Sequence, residues 1–446
     1  WGYQNTGFFS PTSRYGTATD LKCFIDKCHK NNIGVIMDFV PVHFAVDGFA
    51  LANYDGTPLY EYPHEDVAIS QWGSKNFMHS KGEVRSFLQS AANYWIEEYH
   101  FDGLRVDALS NIIYWQGNSD RGENKEAVEF IKGMNKGLKD MHPSIILAAE
   151  DSTAYPKVTA SVEEGGLGFD YKWDMGWMND TLEYFKIHPY DRRREYHKLT
   201  FSMMYFYSEK FLMPLSHDEV VHGKKSIVNK MPGFFGAQLA NVRALYSYQM
   251  LHPGKKLNFM GNDFAQGLEW RFYEQLEWQL LDREENKKVQ DYCRALNKMY
   301  LKEKALWEDS WDTFEWIEHE NHNGNTITFL RKTKDNSEKI IGIFNFSGES
   351  KIGYKIGVPE DKIYRVVLNS DDEKYGGTNF SKRKRYRAIA EEWNGRPQHI
   401  EVDICGNSVI FLKAEEKKIK TEEEVKEEKK EKTTKKRVIK TKKEEV

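Results

Sequence analysis

Through the first 260 residues, short aliphatic and β-branched runs alternate with longer stretches of helical period, and that alternation restricts the chain to a largely parallel sheet joined by crossover helices. Residues 19–30 read as a helix, with Thr17 or Thr19 placed to cap it and Leu21, Phe24, Ile25 and Cys28 on one face. The run over 34–40 is almost wholly apolar, as expected of a parallel strand covered on both sides. Val84, Phe87, Leu88, Ala91, Trp95, Ile96 and Tyr99 then keep the helical period until Phe101-Asp102-Gly103, and a strand over 104–108 follows. Helices over 125–141 and 236–250, with strands over 145–149, 168–173, 211–215 and 256–260, bring the total to about six strands. Alternation alone fits both a doubly wound sheet and a (β/α)8 TIM barrel. The polar residues favour the barrel: Asp38 with His43 just beyond it, Arg105 and Asp107, Glu150, and His217 with Asp218 all fall towards the C-terminal ends of strands. A barrel collects its chemistry at that rim.

After residue 301 the pattern changes to short alternating runs at 326–331, 340–346, 363–368, 399–404 and 408–413, separated by Asn-Gly, Asp-Asn and Gly-Asn turns. This predicts a second, all-β sandwich domain over 302–413, behind a barrel portion over 1–301. Residues 414–446 read as a disordered Lys/Glu-rich tail. Over 415–446 there are 13 Lys or Arg and 10 Asp or Glu, a local +3 inside a chain of net charge −4, so the body carries −7. With acids and bases interleaved, the tail is a solvated appendage rather than a nucleic-acid arm, and the body offers no field to attract a polyanion. No apolar run approaches the roughly 20 residues that span a bilayer. Four cysteines without metal-ligand spacing fit a reducing compartment, so a soluble cytoplasmic monomer is the expectation, with no partner in nucleic acid or membrane.

The strand-end residues suggest a chemistry. Alternation along Leu104-Arg105-Val106-Asp107 turns Arg105 and Asp107 to one side, where the guanidinium favours an ionised carboxylate and so a candidate nucleophile; a buried ion pair without catalytic duty has the same local pattern. Glu150 ends the apolar run 145–149 beside Asp151, a setting that raises a carboxyl pKa and suits a general acid, although a rim or capping residue would look alike. His217 and Asp218 taken alone read as loop, and Asp38 to His43 as a strand exit kinked at Pro41. As a set they match glycosidic cleavage, which needs paired carboxyl groups flanking an oxocarbenium-like transition state and further polar groups on the sugar hydroxyls. The chain's 12 Trp, 24 Tyr and 26 Phe include candidates for stacking on sugar faces.

Asp38-Phe-Val-Pro-Val-His43, Gly103-Leu-Arg-Val-Asp107, Ala149-Glu-Asp-Ser152 and Leu215-Ser-His-Asp218 resemble, in order and spacing, the four motif regions of the α-amylase superfamily of glycoside hydrolases. Within it, the stretches from Trp1 to Gln4, Gly165 to Phe169 and on through Lys172-Trp173, Gly176 to Met178, Leu215 to Ser226 and Phe259 to Gln266 are similar to those of the glucan-branching members. The resemblance covers about residues 1 to 413. It implies Asp107 as nucleophile, Glu150 as general acid/base and Asp218 as the carboxylate stabilising the transition state. It also implies Arg105 orienting Asp107, with Tyr3, Asp38, His43 and His217 lining the subsite of the reacting glucose. The implied reaction is a retaining transfer of an α-1,4-glucan chain to a C6 hydroxyl, with glycogen or amylose as substrate and neither metal nor organic cofactor. An amylase-type hydrolase and an inactive glucan-binding fragment are the alternatives.

Two departures from the family pattern bear on these expectations. Val42 stands where the family usually has Gly, which predicts a shifted His43 loop. The family also begins with a β-sandwich module and two barrel strands ahead of the point matching Trp1. The expectation is therefore a barrel lacking its first two strands, with apolar edges uncovered, that by itself aggregates or is inactive.

Overall fold

A computed structural model describes residues 1–415; the charged tail read from the sequence lies, beyond its first two residues, outside the described residues. Six strands form one parallel sheet: β1 (Ile36–Phe39), β2 (Gly103–Val106), β3 (Ile146–Ala149), β4 (Tyr171–Trp173), β5 (Phe211–Leu215) and β6 (Lys255–Asn258). Each pairs in parallel with the next in sequence. A doubly wound sheet would break that consecutive order, so this is a segment of barrel wall, a partial (β/α)8 barrel. Helices α1 (Ala18–Lys30), α2 (Gly82–Tyr99), α3 (Lys125–Met141), α4 (Met175–Lys186), α5 (Phe235–Leu251) and α6 (Glu284–Lys302) accompany it.

Local chemistry accounts for the boundaries. Thr17 and Asp20 form a reciprocal capping box at the start of α1. His100 adopts a left-handed conformation that ends α2. Asp102, two residues on, ties three strands together at their N-terminal ends: its carboxylate accepts from the backbone N–H of Val35 at 2.6 Å and its carbonyl from that of Ile146 at 2.9 Å. Gly103 then passes so near β3 that a Cβ would lie 2.1 Å from the carbonyl oxygen of Ile146, so no other residue fits without moving the strands.

β2 is buried along its whole length, whereas Ile36 in β1 and Asn258 in β6 are exposed. Among the described residues, each of these outer strands pairs on one side only.

Behind the barrel portion, strands β7 (Phe314–Glu318), β8 (Thr326–Lys332), β9 (Lys339–Asn345), β10 (Lys351–Val358), β11 (Ile363–Asn369), β12 (Arg385–Arg387), β13 (Gln398–Ile404) and β14 (Ser408–Ala414) build an antiparallel sandwich. One sheet has the order β12-β11-β14-β9-β8-β7, and the other is the pair β10 and β13. Ile343, Ile356, Val402 and Ile410 fill the space between the sheets. On the other face of the large sheet, Phe329, Phe344 and Phe411 share a core with Phe185 of α4 and Tyr248 and Leu251 of α5. Two buried arginines join the layers. Arg192 donates five hydrogen bonds, to the carbonyls of Phe185, Ile187 and Phe346 and to the side chains of Asn241 and Asn407. Arg331 reaches the carbonyl of Leu251 at 3.0 Å and pairs with Asp309 at 2.8 Å.

Helices α4 and α6 and strands β7, β10 and β12 are absent from the sequence reading. Strand β10 reads KIGYKIGV, with two glycines and two lysines breaking the apolar run. Strand β12 has only three residues.

Candidate active site

Parallel register brings the chemistry together. Phe39, Val106 and Ala149 stand opposite one another at the ends of β1, β2 and β3. The ladder continues one step further, with the N–H of Asp107 bonding the carbonyl of Phe39 and that of Glu150 bonding the carbonyl of Val106, both at 3.0 Å. Asp107 and Glu150 are therefore in the same row, one residue past the strands, at the mouth of a cleft of about 1480 Å³. The cleft is lined by Tyr3, His43, Asp107, Glu150, His217 and Asp218 among others. Arg105 and Asp38 complete the set from below.

Arg105 is the hub. Its Nη1 donates to Asp107 at 2.8 Å, to Asp38 at 3.3 Å and to the Tyr3 hydroxyl at 3.3 Å, and its Nη2 lies 3.7 Å from Glu150. The Tyr3 hydroxyl donates a short hydrogen bond to Asp38 and lies 3.3 Å from Nε2 of His217, whose ring stacks on that of Tyr3. His217 Nε2 is also 3.7 Å from the carboxylate of Asp218. His43 stands apart from this network, its Nδ1 bonded to Ser74. Val42 is buried beside Phe44 and Phe77 and is not among the positive-φ residues, so the side chain in place of glycine is absorbed by packing.

Burial dominates the electrostatics. It pushes the Asp107 carboxyl up to about 7, against the opposing pull of Arg105, with Glu150, Asp38 and Asp218 adding to the rise. Burial also raises Glu150, opposed by Arg105 and by the backbone N–H of Ala108. The same desolvation lowers His43 to about 4 and lowers His217, so both rings are neutral near pH 7. For Arg105, burial acts against the charge, but Asp38, Asp107 and Glu150 together outweigh it and hold the guanidinium charged. The arrangement suits acid/base work: two carboxyl groups of raised pKa share one cation at unequal distances.

Several contributors were not read from the sequence. Ala108 follows Asp107 with φ 47° and ψ 44°, a left-handed conformation costly for a residue with a Cβ, and this aims its N–H at Glu150 Oε2 at 2.7 Å. Trp1, His222 and Trp270 form an aromatic wall, with Trp1 stacked on His222 at 4.8 Å between ring centroids and 5.4 Å from Trp270. The loop carrying His222 is clamped by Glu269, which accepts from the backbone N–H groups of Gly223 at 3.0 Å and Lys225 at 2.6 Å. Short-range sequence patterns carry no signal for a carboxylate bonding a loop more than forty residues away.

Residues 316–415 match the family model described as the alpha amylase C-terminal all-beta domain. The fold is similar to that of an alpha-amylase from Geobacillus thermoleovorans complexed with acarbose (TM-score 0.66, 16% identity, 93% of this chain and 85% of that one). It is likewise similar to a debranching enzyme from Nostoc punctiforme (TM-score 0.67, 15% identity, 92% and 82%). The barrel wall, its strand-end carboxylates and the C-terminal sandwich define the α-amylase class of fold. In sequence the chain is 54% identical over 415 residues to the 1,4-alpha-glucan branching enzyme of Fusobacterium nucleatum, covering 93% of this chain and 68% of that protein. It is 48% identical to the enzyme of the same name from Halothermothrix orenii, with 93% and 68% covered. The chain belongs to the 1,4-alpha-glucan branching enzyme family. It spans about two thirds of the length of these relatives. No described helix is long and apolar enough to cross a membrane.

Proposed function

We propose that the cleft cuts an α-1,4-linked glucan such as amylose or glycogen and transfers the cut chain to a C6 hydroxyl, in two displacements at one carbon. The ionised Asp107 attacks C1 of the glucose held over it; the C1–O4 bond breaks, and Glu150 gives its proton to the departing oxygen. The chain is then held as a β-glucosyl ester on Asp107. Glu150, now ionised, takes the proton of a glucan C6 hydroxyl as that oxygen attacks C1 and frees Asp107, leaving an α-1,6 linkage. Asp218 stabilises the oxocarbenium-like charge at each step, while Tyr3, Asp38, His43 and His217 line the subsite of the reacting sugar and Arg105 orients Asp107. Neutral histidines suit hydroxyl recognition, since each ring offers one donor and one acceptor.

The observation that carries this reading is the unequal sharing of Arg105, at 2.8 Å from Asp107 and 3.7 Å from Glu150. The nearer carboxyl ionises first and the farther one keeps its proton, which are the states the first displacement requires. The reading includes a monomer working in the cytoplasm, in keeping with four unpaired cysteines.

Incubation with amylose tests it. Branching lowers iodine absorbance while creating α-1,6 linkages and few new reducing ends. A rise in reducing ends in step with the fall in absorbance identifies a hydrolase instead, and glucan binding without turnover identifies a binding fragment.

A further inference from the structure

Trp173, at the C-terminal end of β4, is a large buried aromatic residue that belongs to none of the apolar core clusters. What its ring meets is a cation: the Cζ of Arg105 lies 4.5 Å from the indole centroid. The Tyr3 ring lies 5.6 Å from the same carbon. The guanidinium Nε is buried and has no hydrogen-bond partner. Hydrogen bonds therefore fix only the Nη edge, through Asp107, Asp38 and Tyr3. Nothing polar holds the Nε side, so the plane of the guanidinium is set by the ring against it. A desolvated cation–π contact of this kind is strong enough to select one orientation.

From this geometry we infer that Trp173 is the positioning residue of the active site: its indole face fixes the plane of Arg105 and thereby the unequal sharing of that cation between Asp107 and Glu150. The inference rests on the reading of those two carboxyl groups as nucleophile and acid/base. Trp173 touches no substrate in this account and acts through Arg105. A tilt of the guanidinium would lengthen its bond to Asp107. The charged and titratable groups facing Asp107 are Arg105, Glu150, Asp38, Asp218 and Tyr3, and only Arg105 favours its ionised form. Loosening Arg105 therefore moves ionisation of Asp107 to higher pH.

The test compares Trp173→Tyr, Trp173→Phe and Trp173→Leu for branching turnover across pH, with folding checked by circular dichroism. Indole is the strongest cation–π face, then phenol and phenyl, with none in leucine. The expected result is a fall in kcat that deepens in that order to about 100-fold in the leucine variant, with KM for amylose changed less than about threefold. The acidic limb of the pH profile should move upwards by about one unit in the same order.

A second readout does not depend on turnover. In protein labelled with ¹⁵N in arginine, the Nε–H resonance that disappears in Arg105→Lys should carry a ring-current shift that diminishes from Trp to Leu at position 173. A folded leucine variant with the parent's kcat and acidic limb, or an Arg105 resonance insensitive to position 173, overturns the inference. A ring-current shift that responds as expected while the acidic limb stays fixed would overturn instead the assignment of that limb to Asp107.

Discussion

Arg105 Nη1 lies 2.8 Å from Oδ1 of Asp107, two residues further along the same strand, while Nη2 of the same guanidinium stands 3.7 Å from Glu150 on the neighbouring strand. The same cation also holds Asp38 at 3.3 Å, and between Asp107 and Glu150 the difference of about an ångström orders their ionisation. Burial raises both, Asp107 to about 7. The proposed transfer needs Asp107 ionised and Glu150 protonated, so kcat/KM should follow a bell, rising with pH as Asp107 loses its proton and falling as Glu150 loses its own. Replacing Arg105 with Gln removes the one group that favours ionised Asp107. The rising limb should then move to higher pH and the maximum should fall by about 100-fold or more, as measured by branching rates from pH 5 to 9.

The same raised carboxyl has a cost in stability. A group whose pKa goes from 3.8 unfolded to about 7 folded binds its proton more tightly in the native state, so stability falls as pH rises through that window and is flat above it. Asp107→Asn removes this penalty. The variant should be inactive yet more stable than the parent at pH 8, by roughly 1–3 kcal/mol, with the difference gone by about pH 4. Thermal melts at the two pH values check both the sign and the window.

Arg192 is one of the two buried arginines that hold barrel and sandwich together. It is fully buried, and its five hydrogen bonds go to carbonyl and amide oxygens rather than to a carboxylate. Arg192→Met fills part of the space but leaves those acceptors unpaired, at an expected loss of about 3 kcal/mol or more in denaturant unfolding. The cleft lies on other elements, so the surviving folded fraction should keep its KM for amylose.

Gly103 predicts a backbone effect independent of any side-chain chemistry. A Cβ there would meet the Ile146 carbonyl at 2.1 Å, between the strands that present Asp107 and Glu150. Gly103→Ala should destabilise by about 3 kcal/mol and lower turnover as well, since parting β2 from β3 moves the two carboxyl groups relative to each other.

What the sequence disclosed follows from the range of the interactions involved. β5 and α3 could be delimited from sequence because an apolar run or a sustained helical period is a local property. Residues at strand ends were legible for the same reason, and parallel pairing then brings Asp38, Arg105, Asp107 and Glu150 into one cluster. Three kinds of feature were not legible. Trp173 can be read only as part of a family-like stretch, and its contact with Arg105 emerges once the strands are placed side by side. The left-handed Ala108 breaks the rule that such positions go to Gly or Asn. Glu269 acts on a loop distant in sequence through backbone N–H groups, which leave no mark on residue identity.

Trapping the covalent intermediate shows directly whether Asp107 is the nucleophile. With the Glu150→Gln variant and α-glucosyl fluoride, whose leaving group needs no proton, formation of the ester should outrun its resolution. Mass spectrometry of the digested protein should then find one hexose on the peptide containing Asp107, and none in Asp107→Asn. A hexose on Asp218, or consumption of the fluoride by the Asp107→Asn variant at the parent's rate, would contradict the retaining transfer proposed for this site.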